Sequence, residues 1–362
     1  MHTLMREEAI ARISSLFAAA STAAALAACG GGAEAPAPAL ATAPVPTPIP
    51  VPAQSPGLGD LSSIVQPTTY AAGSSQQEAY AALDAARQQG GFGTLAQNAD
   101  LDQEAQSQAD FIAANYLIGS ALGGQTFDTP LLTALQPDGS ETGHVQLATL
   151  PDQSYFTGYL PSDRATHFGY PSTDVAESAT FGNWNGEGGV ACIANLLTSP
   201  SHRELLLDPR LRDVGIGLQS VPYDESGTIS ATDCYVATGA QSYSYTAGGQ
   251  ATVPYGWMGT YPPNGSVAAS TGDEHGHGFA PSLTVDSRLD LSVNSFTITD
   301  SSGQLVPTTL NLDAIAGTSF NNWAFATPNE ILTANATYTV VFKGVADGQA
   351  ITKVWTFTTP AN

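Results

Sequence analysis

The spacing of apolar residues predicts two helices near the start of the folded part of the chain. The first begins at the capping box Ser75-Gln76-Gln77-Glu78 and ends at Gly90-Gly91. The second runs from about Asp100 to Tyr116, with an apolar row formed by Leu101, Ala105, Ile112 and Tyr116. Gln108 falls on that row, so we expect a buried glutamine whose amide is hydrogen-bonded within the core.

A later stretch combines a buried helix face with two strands. Val190, Ile193, Ala194 and Leu197 mark the helix face. Ser199-Pro200 is typical of an N-cap followed by proline at the first helical position, which places His202 in the first turn of a short helix. Alternation through Val214, Ile216 and Leu218 predicts a strand, and Cys234-Tyr235-Val236 predicts a second one.

The last eighty or so residues favour short strands joined by turns. Phe296 and Ile298 precede a turn at Ser301-Ser302-Gly303. A hairpin follows, in which alternating residues from Tyr338 to Phe357 flank a turn at Asp347-Gly348. This pattern resembles a bacterial immunoglobulin-like β-sandwich, and we place that domain at residues 279–362.

Composition favours an exported protein of two domains. The chain has 362 residues and a net charge of −22, with 10 Lys and Arg against 32 Asp and Glu. A negative field of this size repels phosphate backbones, so we expect no nucleic-acid partner. The acids are scattered along the chain, which is typical of a charge that keeps an exported protein soluble.

The N-terminal region is typical of a leader and a tether. An alanine-rich apolar run ends at Leu26-Ala27-Ala28-Cys29, which resembles a lipobox, so residues 1–28 are a predicted signal peptide and Cys29 a lipidation site. The proline- and alanine-rich stretch 29–66 favours extended polyproline II. We expect an outer-membrane lipoprotein that contacts the membrane only through its lipid anchor. A plain secretory leader, giving a secreted protein, is the alternative.

Cys192 and Cys234 remain after Cys29 is set aside. In an oxidising compartment two cysteines of one domain usually bond, which predicts a disulfide between them. Two buried thiols that act as small apolar residues are the alternative.

Three residues carry the candidate chemistry: His144, Glu177 and His202. Two imidazoles and a carboxylate can form a proton-transfer group or supply three ligands to a divalent cation such as zinc. We interpret Asp163-Arg164 as a structural salt bridge and His167 as a surface residue. The acids and histidines of 273–277 are more typical of a solvated loop than of a metal site.

The order of several motifs resembles the CAP superfamily of cysteine-rich secretory, venom-antigen and pathogenesis-related proteins. The motifs are Gly143-His144, F-T-G-x-x-P-x-D-R at 156–164, Gly169-Tyr170, Glu177, S-P-x-H-R at 199–203 and V-G-x-G at 214–217. The resemblance covers about 76–240. It implies an α/β/α sandwich at 67–245, joined by a linker at 246–278 to the immunoglobulin-like domain, and hence an α+β protein.

The resemblance also implies a cleft lined by two histidines and two glutamates. His144, Glu177 and His202 match three of the four; Glu187 and Glu204 do not fit as the fourth. We expect a binding module for a small amphiphile, a divalent metal or an envelope or extracellular partner. The alternative is a hydrolase of peptide or ester bonds with His144 or His202 as general base, although the chain lacks G-x-S-x-G and H-E-x-x-H.

Overall fold

The structure is a computed structural model, and it describes residues 65–121, 144–148, 153–182, 188–222, 230–239, 257–273, 276–286, 289–311 and 322–361. The predicted signal peptide, the lipidation site Cys29 and nearly all of the tether lie outside the described residues. None of the described helices is both long enough and apolar enough to cross a bilayer.

Five helices and thirteen strands make up the described chain. The helices are α1 (Ser75–Gly90), α2 (Ala99–Ala121), α3 (Pro161–Phe168), α4 (Gly188–Thr198) and α5 (Pro200–Leu206). The first four strands are β1 (Ala96–Gln97), β2 (Val175–Gly182), β3 (Asp213–Pro222) and β4 (Ser230–Gly239). The others are β5 (Met258–Tyr261), β6 (Ser266–Val267), β7 (Ser282–Val285), β8 (Leu291–Thr299), β9 (Leu305–Val306), β10 (Thr308–Asn311), β11 (Trp323–Pro328), β12 (Thr337–Ala346) and β13 (Gln349–Thr358). The protein is therefore α+β, as predicted.

Helices cover both faces of the first sheet, whose strand order is β1-β3-β4-β2. Successive side chains of a strand point to opposite faces of the sheet, and those of β4 are buried on both faces. Cys234 and Val236 pack with apolar residues of α1 and α4, whereas Tyr235 and Ala237 pack with those of α2. The sheet consequently has a separate hydrophobic core on each face.

Close approach of α2 to the sheet depends on glycine in β3. A β-carbon on Gly215 would lie 2.0 Å from the backbone of Leu101, and one on Gly217 would lie 2.3 Å from the backbone of Ala105. The V-G-x-G motif thus brings the helix backbone almost into contact with the strand.

The predicted ends of the helices agree with the observed ends to within a few residues. Ser74, not Ser75, is the N-cap of α1, and its side chain accepts a hydrogen bond from the backbone N–H of Gln77. Gly91 ends α1 in the left-handed conformation, with φ of 79°. Ser199 is the N-cap of α5 and Pro200 its first residue, which places His202 in the first turn as expected.

The predicted disulfide is confirmed. Cys192 of α4 is bonded to Cys234 of β4, with a Cα–Cα distance of 6.2 Å. Both cysteines are fully buried, so the bond fixes α4 to the middle of the sheet.

The C-terminal strands form two sheets. Their orders are β10-β11-β7-β5 and β6-β13-β12-β8-β9. The predicted hairpin is β12 and β13, where Ala346 pairs with Gln349 and the turn residues Asp347 and Gly348 have φ of 47° and 76°. The two sheets share one apolar core, which includes the edge-to-face pair of Phe296 and Trp355.

The predicted linker at 246–278 is wrong for residues 257–273. Strand β5 pairs with β7 and strand β6 with β13, so both belong to the C-terminal sheets. Trp257 and Tyr261 are buried, and Trp257 donates its indole N–H to the carbonyl of Gly91. The prolines and Gly265 that suggested a linker instead form a turn between two strands.

Arg203 of α5 joins the helical part to the C-terminal strands. Its guanidinium is buried and donates to the carbonyl oxygens of Ala280, at 2.5 Å, and Leu197, at 3.2 Å. It also lies over the rings of Tyr261 and Phe279, with centroid distances of 5.4 Å and 4.9 Å. Burial lowers the pKa of Arg203 to about 10, which leaves it charged at neutral pH.

Candidate functional site

His144 and Glu177 form a hydrogen-bonded pair. The distance from Nδ1 of His144 to Oε1 of Glu177 is 2.8 Å. Glu177 comes from β2, on the face of the sheet that α2 covers, as the burial of its neighbour Ala179 in that core shows. The Glu177 side chain is fully buried, whereas the His144 side chain is 20% exposed.

Arg164 of α3 holds the second oxygen of Glu177. Its Nη2 donates to Oε2 of Glu177 at 2.7 Å. Its Nη1 donates to the backbone carbonyls of His144, at 3.1 Å, and Tyr159, at 3.4 Å. One buried guanidinium therefore positions the carboxylate and the segment that carries the histidine.

Glu104 of α2 is a second buried carboxyl on the same guanidinium. Its Oε1 accepts from Nε of Arg164 at 2.9 Å, and Nη2 of Arg164 lies 2.8 Å from the same oxygen. The other oxygen of Glu104 is buried and accepts no hydrogen bond from the described residues. Nη2 thus lies within 2.8 Å of both Glu104 and Glu177, which brings the two carboxyls together.

The two carboxyls differ in their affinity for a proton. Burial and the negative charge of Glu177 raise the pKa of Glu104 well above its usual value, and Arg164 offsets this only in part. Burial alone would also raise the pKa of Glu177, but the charge of Arg164 and the hydrogen bond with His144 outweigh it and lower that pKa. Glu104 therefore holds a proton more strongly than Glu177 does, and the negative charge that faces Arg164 belongs preferentially to Glu177.

This arrangement selects the state of the histidine ring. A carboxylate beside Nδ1 favours the tautomer that carries its proton on Nδ1. The lone pair of Nε2 is then available to accept a hydrogen bond or a proton. The His144 side chain as a whole is 20% exposed, although the Glu177 side chain that contacts Nδ1 is fully buried.

An aromatic ledge, which we define as Tyr155, Phe156, Tyr159 and Leu160, lies on the segment whose Tyr159 carbonyl shares Nη1 of Arg164 with the carbonyl of His144. These four side chains are between 36% and 44% exposed. Gln146, two residues after His144, ties the segments together: its backbone N–H donates to the carbonyl of Tyr159 and its side-chain oxygen accepts from the N–H of Thr157. The ring of Phe156 also meets that of Phe111 on α2, with centroids 6.3 Å apart.

The three predicted site residues are brought together only in part. His144 and Glu177 are in contact, and α5, which carries His202, packs beside β2. Within the described ranges no three His, Cys, Asp or Glu side chains are grouped so that they could hold a metal. Both oxygens of Glu177 are already engaged by His144 and Arg164, so the described residues do not form the predicted three-ligand zinc site.

Glu104 is the residue that the sequence analysis missed. A signal was present, because Glu104 lies three residues after Leu101 and four before Gln108, on the side of α2 that contains the apolar row. The glutamates that the sequence offers closer to Glu177 are Glu187 and Glu204, whereas Glu104 is 60 residues from Arg164 in sequence. Of the earlier candidates, Glu187 lies outside the described residues.

Three further expectations can be compared with the structure. Arg164 pairs with Glu104 and Glu177, so the predicted Asp163-Arg164 bridge is wrong. Asp163 instead accepts a hydrogen bond from the backbone N–H of Leu160 and caps α3. His167 is exposed, as predicted, and Asp273 pairs with His277 at 3.2 Å in a turn whose residues 274 and 275 lie outside the described chain.

Comparisons with known proteins give little beyond this geometry. No family model matches the chain, and no curated protein matches it. Among solved structures, the chain is similar to an outer surface protein of Borrelia burgdorferi, with 15% identity, 46% of this chain and 91% of that chain covered, and a TM-score of 0.27. A DUF4426 family protein of Pseudomonas aeruginosa has 15% identity, covers 22% of this chain and 71% of its own, and has a TM-score of 0.19.

Proposed function

We propose that this is an exported, CAP-like binding protein that holds a small amphiphile between the ring of His144 and the aromatic ledge. The observation that carries the proposal is the 2.8 Å contact between His144 and Glu177 beside exposed aromatic side chains. The apolar body of the ligand packs on the ledge, and its polar group, a hydroxyl or protonated acid, donates a hydrogen bond to Nε2 of His144.

The buried groups keep this acceptor in place. Glu177 fixes the tautomer and orientation of the ring, and Arg164 holds Glu177. Burial and the charge of Glu177 raise the pKa of Glu104, which favours its neutral form, so buried Arg164 faces Glu177 as its main counter-ion. An acceptor that is held rigidly before the ligand arrives loses less entropy on binding.

Two features support the CAP-like part of the proposal. The motifs that suggested the family occur in order on elements that surround the site: Arg164 on α3, Glu177 on β2 and His202 on α5. The four-stranded sheet has helices on both faces, which is the layered arrangement that the resemblance implies. The C-terminal pair of sheets supports an immunoglobulin-like sandwich in the same way.

Export is supported by the disulfide. A buried Cys192–Cys234 bond suits an oxidising compartment, as does the alanine-rich leader that ends at Cys29. Lipid anchorage at Cys29 is part of this proposal. Replacing Cys29 with serine should move the protein out of the membrane fraction, and retention there would contradict the anchor.

The geometry of His144 favours binding over a hydrolase that uses this histidine as its general base. Among the described residues the hydrogen-bond partner of the His144 ring is Glu177, and no serine, threonine or cysteine side chain is hydrogen-bonded to that ring. A histidine that activates a nucleophile needs one within hydrogen-bonding reach.

Binding of a fluorescent sterol and of a fluorescent fatty acid tests the proposal. The wild-type chain should bind at least one of them, and His144→Ala and Tyr159→Ala should each weaken it about tenfold, the loss of one hydrogen bond or one aromatic contact. Ile331→Ala is the matched control, because Ile331 is 55% exposed on the C-terminal part. No binding by the wild type, or equal binding by all variants, would contradict the proposal.

A further inference from the structure

A second cleft lies where the helices meet the C-terminal strands. Its volume is about 440 Å³, within the range of roughly 300–1,000 Å³ that small-molecule sites occupy. Thr198 and Pro200, at the junction of α4 and α5, form one wall. Strands β10 and β11 and the turn of Asp273 and His277 form the others.

The strand wall is a set of uncharged polar side chains on one face of a sheet. Thr309 pairs with Thr327, and Asn311 pairs with Phe325, so these four lie on the same face of β10 and β11. Asn329 continues the row just beyond β11 and also lines the cleft. The alternate residues Ala324 and Ala326 face the opposite way, into the core between the two sheets.

Hydrogen bonds within the wall orient these groups, and among the described residues some of their donors and acceptors are not used. Thr309 donates to Oδ1 of Asn329 at 3.0 Å, so the amide nitrogen of Asn329 keeps its two hydrogens. Asn311 donates to Oγ1 of Thr327 at 3.3 Å, which leaves Oδ1 of Asn311 as an acceptor and the Thr327 hydroxyl as a donor. Donors and acceptors thus alternate across the wall.

The rest of the lining is apolar or internally paired. Phe325 and Phe279 form the buried base of the cleft, being 7% and 1% exposed, and Phe325 packs on Trp323 with ring centroids 4.7 Å apart. The carboxylate of Asp273 accepts from the backbone N–H of His277 and lies 3.2 Å from its ring nitrogen. The described residues that line the cleft include no lysine or arginine, so they offer no fixed cation to a phosphate or carboxylate.

We propose that this cleft is a binding site for a neutral saccharide. Adjacent sugar hydroxyls both donate and accept hydrogen bonds, which matches the alternating amide and hydroxyl groups of the wall. The net charge of −22 disfavours an anionic ligand but does not affect a neutral one. This site does not depend on the His144 site and contains none of its residues.

Calorimetric titration of the full chain with four neutral disaccharides and glycosides tests this: maltose, cellobiose, N,N′-diacetylchitobiose and methyl α-mannoside. At least one should bind, and the pair Asn311→Ala and Asn329→Ala should weaken that binding about tenfold or more, because each removes a hydrogen bond. Gln349→Ala is the matched control, since it removes an exposed amide from β13, which belongs to the other sheet. A His144→Ala variant should bind the saccharide as the wild type does.

Three results would overturn the inference. The first is that none of the four saccharides gives a heat of binding at about 20-fold molar excess and millimolar concentration. These conditions detect a dissociation constant in the millimolar range. The second is undiminished binding by the asparagine variants, which would place the saccharide elsewhere. The third is that an extended peptide of alternating threonine and valine binds while the saccharides do not, because the edge strand β10 would then be pairing with a peptide strand.

Discussion

Nδ1 of His144 lies 2.8 Å from Oε1 of Glu177, and the opposite oxygen of that carboxylate is held by Arg164. The histidine is the partly exposed end of a chain of buried charged groups that reaches from β2 through α3 to Glu104 on α2. The tautomer of the partly exposed ring consequently depends on buried groups, first Glu177 and then Arg164.

The two buried glutamates should differ sharply in their tolerance of glutamine. Glu177→Gln removes the counter-charge of buried Arg164 and should lower the free energy of unfolding by about 3–5 kcal/mol. Glu104→Gln should cost less than about 1.5 kcal/mol, because the raised pKa of Glu104 favours its neutral acid form, which an amide of the same shape replaces. Urea denaturation at pH 7 measures both. A larger loss from Glu104→Gln than from Glu177→Gln would show that Glu104, not Glu177, carries the negative charge that pairs with Arg164.

Helix α2 and strand β4 show which parts of the fold can be predicted from the sequence. Periodicity identified both, because apolar spacing reports burial within a single element. Turn chemistry identified the hairpin at Asp347-Gly348, where both residues have positive φ. The Arg164–Glu104 pair could not be predicted, since its partners are 60 residues apart and meet only when α2 and α3 pack on the same face of the sheet.

The pH dependence of stability should expose the proton on Glu104. Its pKa is raised in the folded protein, so the unfolded chain releases this proton first as the pH rises above about 4.5, and stability falls until the folded pKa is reached. Glutamine cannot ionise, so Glu104→Gln does not lose stability in this way. The unfolding free energy of the variant minus that of the wild type should therefore rise by up to about 1.4 kcal/mol per pH unit over that window. Urea denaturation at each pH from 5 to 8, in steps of about one unit, gives the difference. A difference that stays constant would mean that Glu104 is ionised in the folded protein.

Glu177 should have the opposite effect at low pH. Its pKa is lowered by Arg164 and His144, so its contribution to stability is complete above the unfolded pKa and is lost as the pH falls through the folded value. Acid denaturation of the wild type should therefore be steeper than that of Glu177→Gln between about pH 4.5 and the folded pKa of Glu177. Circular dichroism followed against pH compares the two, and parallel acid transitions would contradict the assignment.

Arg203 should be more important for stability than its lack of a carboxylate partner suggests. Arg203→Met leaves the buried carbonyls of Ala280 and Leu197 without a donor, which should cost about 2–5 kcal/mol. Arg210→Met is the control, because the side chain of Arg210 is 40% exposed in its pair with Asp208 and should cost less than about 1 kcal/mol. Thermal unfolding measures both, and equal effects would show that Arg203 does not join the two parts of the fold.

The disulfide should stabilise the fold through the loop that it closes. Its cysteines are 42 residues apart, so the double variant Cys192→Ala, Cys234→Ala should lose about 4 kcal/mol of unfolding free energy. Wild-type protein kept reduced during urea denaturation should lose a similar amount of unfolding free energy. This comparison distinguishes the effect of losing the disulfide from the effect of replacing cysteine with alanine. A double variant as stable as the oxidised wild type would show that the bond contributes nothing.

Glu177 should hold His144 with its proton on Nδ1, which leaves the Nε2 lone pair available to a ligand. Two-bond proton–nitrogen NMR of the histidine rings at pH 8 measures the position of this proton, with His144→Gln to assign the signal and Glu177→Gln to remove the carboxylate charge. We expect the wild-type ring to be protonated on Nδ1 and not on Nε2, and we expect Glu177→Gln to lose this single tautomer. A proton on Nε2 of His144 in the wild type would show the opposite, because the ring would then have no acceptor to offer the ligand.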